Sequence, residues 1–293
     1  MVRDGNADAA AAQTQATAEA AERSPGASGP SELERAWSAF PPNIGHYAIE
    51  GVIGTGGFGT VYRGVHRWLR VPGAIKVIQC EESDQLRADF RREAQRQARL
   101  QAHPGIAQVR DFGFFTDPRG GAKLPYYVMD LIPGNQSLTA YATHLGLSMN
   151  DRLRLFAQVC DAVQYAHDRG ILHLDLKPAN ILVFPEVEGR PAQPKVIDFG
   201  IARAADPALE RRVRAGVSGT IAYMSPEQTD VSIPLDVRSD VYSLGVVLYE
   251  MLTGWLPYEV AGRSAAEAYR VVREVPPDFE SARAMKLPAP VRA

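Results

Sequence analysis

Two short stretches, His173-Leu-Asp-Leu-Lys-Pro-Ala-Asn180 and Asp198-Phe-Gly200, constrain this chain more than anything else in it. The first sets an acid (Asp175), a cation (Lys177) and an amide oxygen (Asn180) within six residues. The second sets an acid, Asp198, after the apolar pair Val196-Ile197 and before the permissive Gly200. Each half supplies what the other lacks. One carboxylate can orient a hydroxyl and accept its proton. A second carboxylate and an amide oxygen can hold a divalent cation against phosphates, and an ammonium can offset charge on a moving phosphoryl group. A fold that uses this set must bring the two stretches to one cleft.

Length and composition limit what surrounds that cleft. A chain of 293 residues with 45% hydrophobic and 23% charged residues reads as globular, with a sizeable core. A net charge of −2 argues against nucleic acid or an anionic membrane as partner. The two cysteines, Cys80 and Cys160, lie far apart, which argues against a disulfide framework and suits a reducing cytoplasm. The longest apolar run, Val241 to Leu252, is short and interrupted by Glu250, so no membrane segment is expected within this chain. A membrane tether outside it stays open.

Residues 1–43 are rich in Ala, Gln, Thr, Ser and Gly, and read as a disordered low-complexity tail. From Tyr47 the pattern changes. Tyr47 to Gly54 reads as a strand, and Gly54-Thr55-Gly56-Gly57-Phe58-Gly59 as a tight turn. Glycine lets backbone approach phosphate oxygens without a Cβ in the way. The rival reading, a dinucleotide-binding βαβ unit, needs a helix directly after the last glycine. Thr60-Val61-Tyr62 is β-branched and aromatic, so a returning strand is expected instead.

Ala74-Ile75-Lys76-Val77-Ile78 puts a lysine inside an apolar strand, which is costly unless it meets an anion. Asp84 to Leu100 is helical in character, and Glu93 is its acid on the Phe90, Ala94 side. The five arginines of that segment read as a solvated face. Strands are expected at Ile106 to Phe112 and Tyr126 to Asp130, with a Gly/Pro-rich hairpin loop over 116–125. Met149 to His167 is the clearest helix, started by Ser148 and Asp151 and ended by Gly170. Its predicted inner face is Leu153, Phe156, Val159, Cys160, Val163 and His167, which makes Cys160 a core residue rather than a reactive thiol. Asp240 opens a further helix, with Leu244, Val247, Leu248 and Met251 on one face.

The ordered set of glycine loop, Lys76, Glu93, His173–Asn180, Asp198-Phe-Gly200 and Ser225-Pro226-Glu227 resembles the protein kinases. With Lys-Pro-Ala-Asn and Tyr-Met-Ser-Pro-Glu-Gln it is most similar to the bacterial eukaryotic-like serine/threonine kinases, from about Tyr47 to Tyr269. The resemblance implies an α+β, two-lobed fold over 44–293. An N-lobe of antiparallel sheet plus one helix occupies about 44–130, and a mostly helical C-lobe about 131–293. The chain ends where further family helices are expected. It implies ATP and Mg²⁺ as cofactors, and a protein substrate with a Ser/Thr acceptor; a dimer is admitted. Asp175 is then the base or orienting carboxylate and Lys177 the γ-phosphoryl stabiliser. Asn180 and Asp198 hold Mg²⁺, and Lys76, paired with Glu93, positions the phosphates. Residues 54–59 cover the phosphates. Val61, Ala74 and Leu182 sandwich the adenine, Met129 is the gatekeeper, and the backbone of Asp130 and Ile132 reads the adenine edge. Asp240 anchors the catalytic loop, and His173 packs under Phe199.

Three departures from the family pattern stand out. Gln97, one turn after Glu93, is polar where an apolar residue is usual. Leu174 replaces the usual Arg before the catalytic Asp, so basal activity independent of loop phosphorylation is expected, with Ser218 the one hydroxyl between Ile201 and Gly219. The resemblance implies an Arg partner for Glu227 from later family helices, and within this chain Glu227 is expected to be without it. The alternative to an active enzyme is a nucleotide-binding scaffold, although every position that such scaffolds typically lose is retained here.

Overall fold

The computed structural model describes residues 40–56, 59–79, 84–100, 102–117, 121, 123–199, 221–230 and 232–278. Residues 1–39, which include most of the expected tail, lie outside them, as do Gly57, Phe58, Cys80, Gly200 and Ser218.

The upper part is an antiparallel sheet of six strands. These are β1 (Asn43–Ile44), β2 (Tyr47–Gly56), β3 (Gly59–His66), β4 (Pro72–Ile78), β5 (Val109–Thr116) and β6 (Lys123–Met129), in the order β1-β2-β3-β4-β6-β5. The predicted hairpin is there: Gly56 pairs with Gly59. Gly59 has φ +133°, and a Cβ on it would meet the Val77 carbonyl oxygen at 1.9 Å, so glycine is required where β3 starts against β4. β5 begins at Val109 rather than Ile106 and runs to Thr116. Ile106 instead makes a parallel bridge to Val196 in the lower part. Alternation alone could not see that diversion, because the bonding partner comes from the distant part of the chain.

Helix α1 (Asp84–Ala98) packs on this sheet through Phe90 and Ala94, both buried as expected. The Phe90 ring lies against Phe112, Phe114 and Tyr127. Burying a phenylalanine fully is worth about 2–3 kcal/mol, so Phe90 contributes substantially to holding α1 on the sheet.

Below lie α2 (Leu138–His144), α3 (Met149–His167), a two-stranded sheet of β7 (Ile181–Phe184) and β8 (Gln193–Val196), α4 (Val237–Thr253) and α5 (Ala265–Glu274). α3 has the predicted bounds, and Ser148 Oγ accepts from the Asp151 N–H at its start. Its buried stripe is Leu155, Phe156, Val159, Ala162, Val163 and Ala166. The predicted Phe156, Val159 and Val163 are on it, Cys160 is partly buried but packs against the same core, and the His167 side chain is 7% exposed; Leu153 is only partly buried, and Leu155, Ala162 and Ala166 are the residues the predicted face left out. The small residues Ala162 and Ala166 let β8 and the chain around Gly105 approach closely, and polarity patterning underweights alanine. Asp236 caps α4, and Gly254 ends it at φ 79°. Leu244, Val247 and Met251 join α3 in one core, with Leu248 packed at its edge. Among the described residues no helix is long and apolar enough to cross a membrane.

Candidate active site

β4 and β6 are neighbours, with Ala74 opposite Met129 and Lys76 opposite Tyr127. Side chains alternate along strands, so these four share one face. That face roofs a cavity of about 260 Å³ whose floor is Leu182, Ile197, Asn180 and Asp198. Gly54, Thr55, Gly56, Gly59 and Val61 close it from the hairpin, and Asp130 and Ile132 line its rear. Gly57 and Phe58 lie outside the described residues.

Lys76 is buried, and its Nζ donates to Asp198 Oδ2 at 2.5 Å. The expected partner of Lys76 was Glu93. Glu93 lies on α1, but its side chain is outside what the structure describes, and the partner of Lys76 that is described is Asp198. The other oxygen, Oδ1, accepts a very short hydrogen bond from the Tyr127 hydroxyl. Burial pushes the Asp198 carboxyl up, but the Lys76 charge and the two hydrogen bonds outweigh it and hold the group below its ordinary value. Asp198 has φ 62°, the left-handed region that a non-glycine residue enters only when its surroundings hold it there.

The stretch from His173 to Asn180 is pinned from beneath by Asp240, which is fully buried in the first turn of α4. Its Oδ2 accepts from the His173 N–H at 2.8 Å and from His167 Nε2–H at 2.7 Å; its Oδ1 accepts from the Leu174 N–H at 2.7 Å. Burial raises this carboxyl's pKa, yet these hydrogen bonds and the nearby His173 ring bring it below the usual range. His173 Nε2–H donates to the Ile197 carbonyl, and Nδ1 accepts from the Asp175 N–H, which fixes the tautomer. The His173 ring packs on Phe199 with centroids 4.7 Å apart. The loop thus carries Asp175 to Asn180, whose Nδ2 donates to the Asp175 carbonyl at 2.7 Å and to its Oδ2 at 2.9 Å. Lys177 Nζ donates to the same Oδ2 at 3.0 Å.

Asp130 engages Arg110, Lys195 and the Gln108 N–H through its carboxylate, so that side chain belongs to the scaffold. Glu227 accepts from the Ser239 hydroxyl at 2.6 Å. Gln97 is buried, and its Nε2 has no hydrogen-bond partner among the described residues.

Three contributors were not singled out from the sequence as site residues: Tyr127, His167 and Gln228, whose Nε2 donates to the Leu174 carbonyl at 2.8 Å. Leu174 therefore has both backbone groups held while its φ is 60°. Tyr127 had a detectable signal. A tyrosine hydroxyl buried in a central strand needs a partner, and Lys76 across the strand marks where an anion must be.

A glycine hairpin over a cleft between an antiparallel sheet and a helical part, with lysine above and an Asp/Asn pair below, defines a two-lobed fold with its polar side chains gathered in the cleft. The family model of the protein kinase domain matches residues 47–290, and the chain belongs to that family. Serine/threonine-protein kinase PknB of Mycolicibacterium smegmatis is 39% identical over 233 residues, 78% of this chain and 36% of that protein. A probable serine/threonine-protein kinase PknB of Corynebacterium glutamicum is 37% identical over 235 residues, covering 78% and 34%. PknB of Mycobacterium leprae is 36% identical over 239 residues, covering 80% and 37%. The chain thus spans about a third of the length of the curated relatives it matches.

Proposed function

We propose that this chain is an ATP-dependent protein serine/threonine kinase that works in the cytoplasm on a protein hydroxyl, with residues 44–293 as its kinase domain. The observation that carries the reading is the convergence of Lys76, Asn180 and Asp198 on one cavity with apolar walls, with Asn180 and Lys177 both donating to Asp175.

Val61, Ala74 and Leu182 suit the two faces of an adenine ring, and Met129 limits its depth. The Asp130 N–H is used by the Gln108 carbonyl, so the Asp130 carbonyl and the Ile132 N–H are the groups assigned to the adenine edge. Glycines 54, 56 and 59 leave room for phosphates beneath the hairpin. Lys76 turns to those phosphates. Asp175 orients the acceptor hydroxyl and takes its proton, and Lys177 offsets charge on the transferred group.

The residues at the cleft floor fit magnesium. A carboxylate and an amide oxygen are hard donors. Such oxygen donors suit a cation held by one or two side chains plus phosphates. Asp198 and Asn180 would hold it, and bound there it would supply positive charge against the phosphate oxygens.

The test is transfer from Mg-ATP to a generic Ser/Thr substrate. Asp175→Asn and Lys76→Met are each expected to lower the rate by about 10² or more, roughly 2.7 kcal/mol of barrier. A wild-type protein that binds ATP and transfers nothing would make it a scaffold. Unchanged turnover in either variant would remove that residue's role.

A further inference from the structure

We propose that Tyr127 is a positioning residue for the metal site, the group that keeps Asp198 aimed into the cleft once Lys76 has moved to the phosphates. The inference rests on the reading of Asp198 as a magnesium holder and goes beyond it. Nothing in the motif set of the chain points to Tyr127.

Both oxygens of Asp198 are engaged, one by a mobile cation and one by a fixed neutral donor. Lys76 ends a flexible four-carbon stem, and its ammonium carries a charge that phosphates will claim. When it leaves, Oδ2 loses its partner. The Tyr127 hydroxyl cannot leave in the same way. Its ring is 1% exposed, sits in the middle of β6, and packs against Phe90 of α1 at 6.5 Å between centroids. A buried ring of this kind fixes its hydroxyl as tightly as a backbone group would. A carboxylate oxygen can only accept, so in this pair the Tyr127 hydroxyl is the donor.

The hydroxyl also suits the task stereochemically. An ionised carboxylate oxygen offers two lone pairs. One donor on Oδ1 fixes the plane of the carboxylate and leaves a lone pair on Oδ1, and the whole of Oδ2, for a cation. Holding a ligand carboxylate from outside in this way typically changes metal affinity 10–100-fold. The arrangement further ties the site to α1, because the Phe90 ring that seats this helix also backs the Tyr127 ring.

The experiment measures calorimetric binding of adenylyl imidodiphosphate with Mg²⁺ and with EDTA, for wild type and Tyr127→Phe, whose unliganded melting temperatures are compared first. In wild type, Mg²⁺ tightens binding. In Tyr127→Phe that tightening is expected to shrink at least tenfold, while metal-free affinity stays within twofold. Tyr127→Leu repeats the loss of the hydroxyl on a different shape and carries the comparison should the phenylalanine variant not fold. An undiminished or larger Mg²⁺ effect overturns the proposal, as does an equal loss with and without Mg²⁺, which would mark a packing defect. If wild type itself shows no Mg²⁺ effect, the magnesium reading of Asp198 falls and this proposal falls with it. A retained effect in the variants alone removes only the role of Tyr127.

Discussion

The floor and the roof of the cleft are held together in opposite ways. Below, each polar group of the loop from His173 to Asn180 that matters for its shape has a named partner, and Asp240 alone accepts three hydrogen bonds. Above, α1 is seated by Phe90 and Ala94, while Gln97, one turn past Glu93, buries an amide nitrogen with no partner among the described residues. Paired buried groups define one geometry. An orphaned amide costs about 1–3 kcal/mol wherever it sits, so it does nothing to prefer one seat of the helix. The comparison teaches that the floor is over-determined by paired polar groups, whereas the described seat of α1 on the sheet includes the apolar contacts of Phe90 and Ala94 and an amide nitrogen of Gln97 without a partner among the described residues.

The largest expected effect breaks the floor. Asp240→Ala strands two backbone N–H groups and the His167 ring, and should cost roughly 3–5 kcal/mol. Urea unfolding measures it, and a loss under 1 kcal/mol would mean that water or a neighbour replaces the carboxylate. The pH dependence has a definite sign. The Asp240 carboxyl titrates below its ordinary 3.8 in the folded chain. Its contribution is therefore complete above that value and is lost as pH falls through the folded pKa. The gap in stability between wild type and Asp240→Asn should be widest at neutral pH and narrow below about pH 4. A gap that widens in acid contradicts the assignment.

The asymmetry between floor and roof also governs what could be read from the residues. The His173–Asn180 loop, α3 and the glycine hairpin announced themselves, because local chemistry fixes them: a capping serine, a 3.6 period, glycines where backbone must pass close. The seating of His173 under Phe199 followed from the resemblance and is present. What escaped was set by contacts across the fold. Tyr127, His167 and Gln228 look like ordinary strand, helix-end and turn residues until distant segments arrive beside them. The Lys76–Glu93 pair was assigned by analogy. The Glu93 side chain lies outside the described residues, and the described partner of Lys76 is Asp198. The expectations on Ser218 fall outside the described residues.

A smaller effect of opposite sign tests the roof. Gln97→Leu removes the orphaned amide and adds apolar contact, and should stabilise the domain by about 1–2 kcal/mol. For a domain of this size that is a rise in Tm of roughly 2–8 °C. A lower Tm would mean that the amide has a partner after all, and the contrast between roof and floor would disappear.

The smallest effect separates the rigidity of the floor from plain stability. Ser148 caps α3, the helix whose far end delivers the chain to the loop, and its hydroxyl also donates to Asp151 Oδ2 at 2.5 Å. Ser148→Ala should cost about 1 kcal/mol, as cap removals do. None of the described residues that line the cleft is a hydrogen-bond partner of Ser148, and the start of α3 is tied independently to α4 through Arg152, which donates to the Met251 carbonyl. The first turn would fray while His173, Asp175 and Asn180 keep their partners. Turnover measured well below the melting transition should therefore stay within twofold of wild type, although Asp240→Asn, also chosen to fold, lowers it. If Ser148→Ala lowers turnover as much as Asp240→Asn at equal stability loss, the loop is held by the general stability of the lower lobe. Asp240 would then have no special hold on the loop.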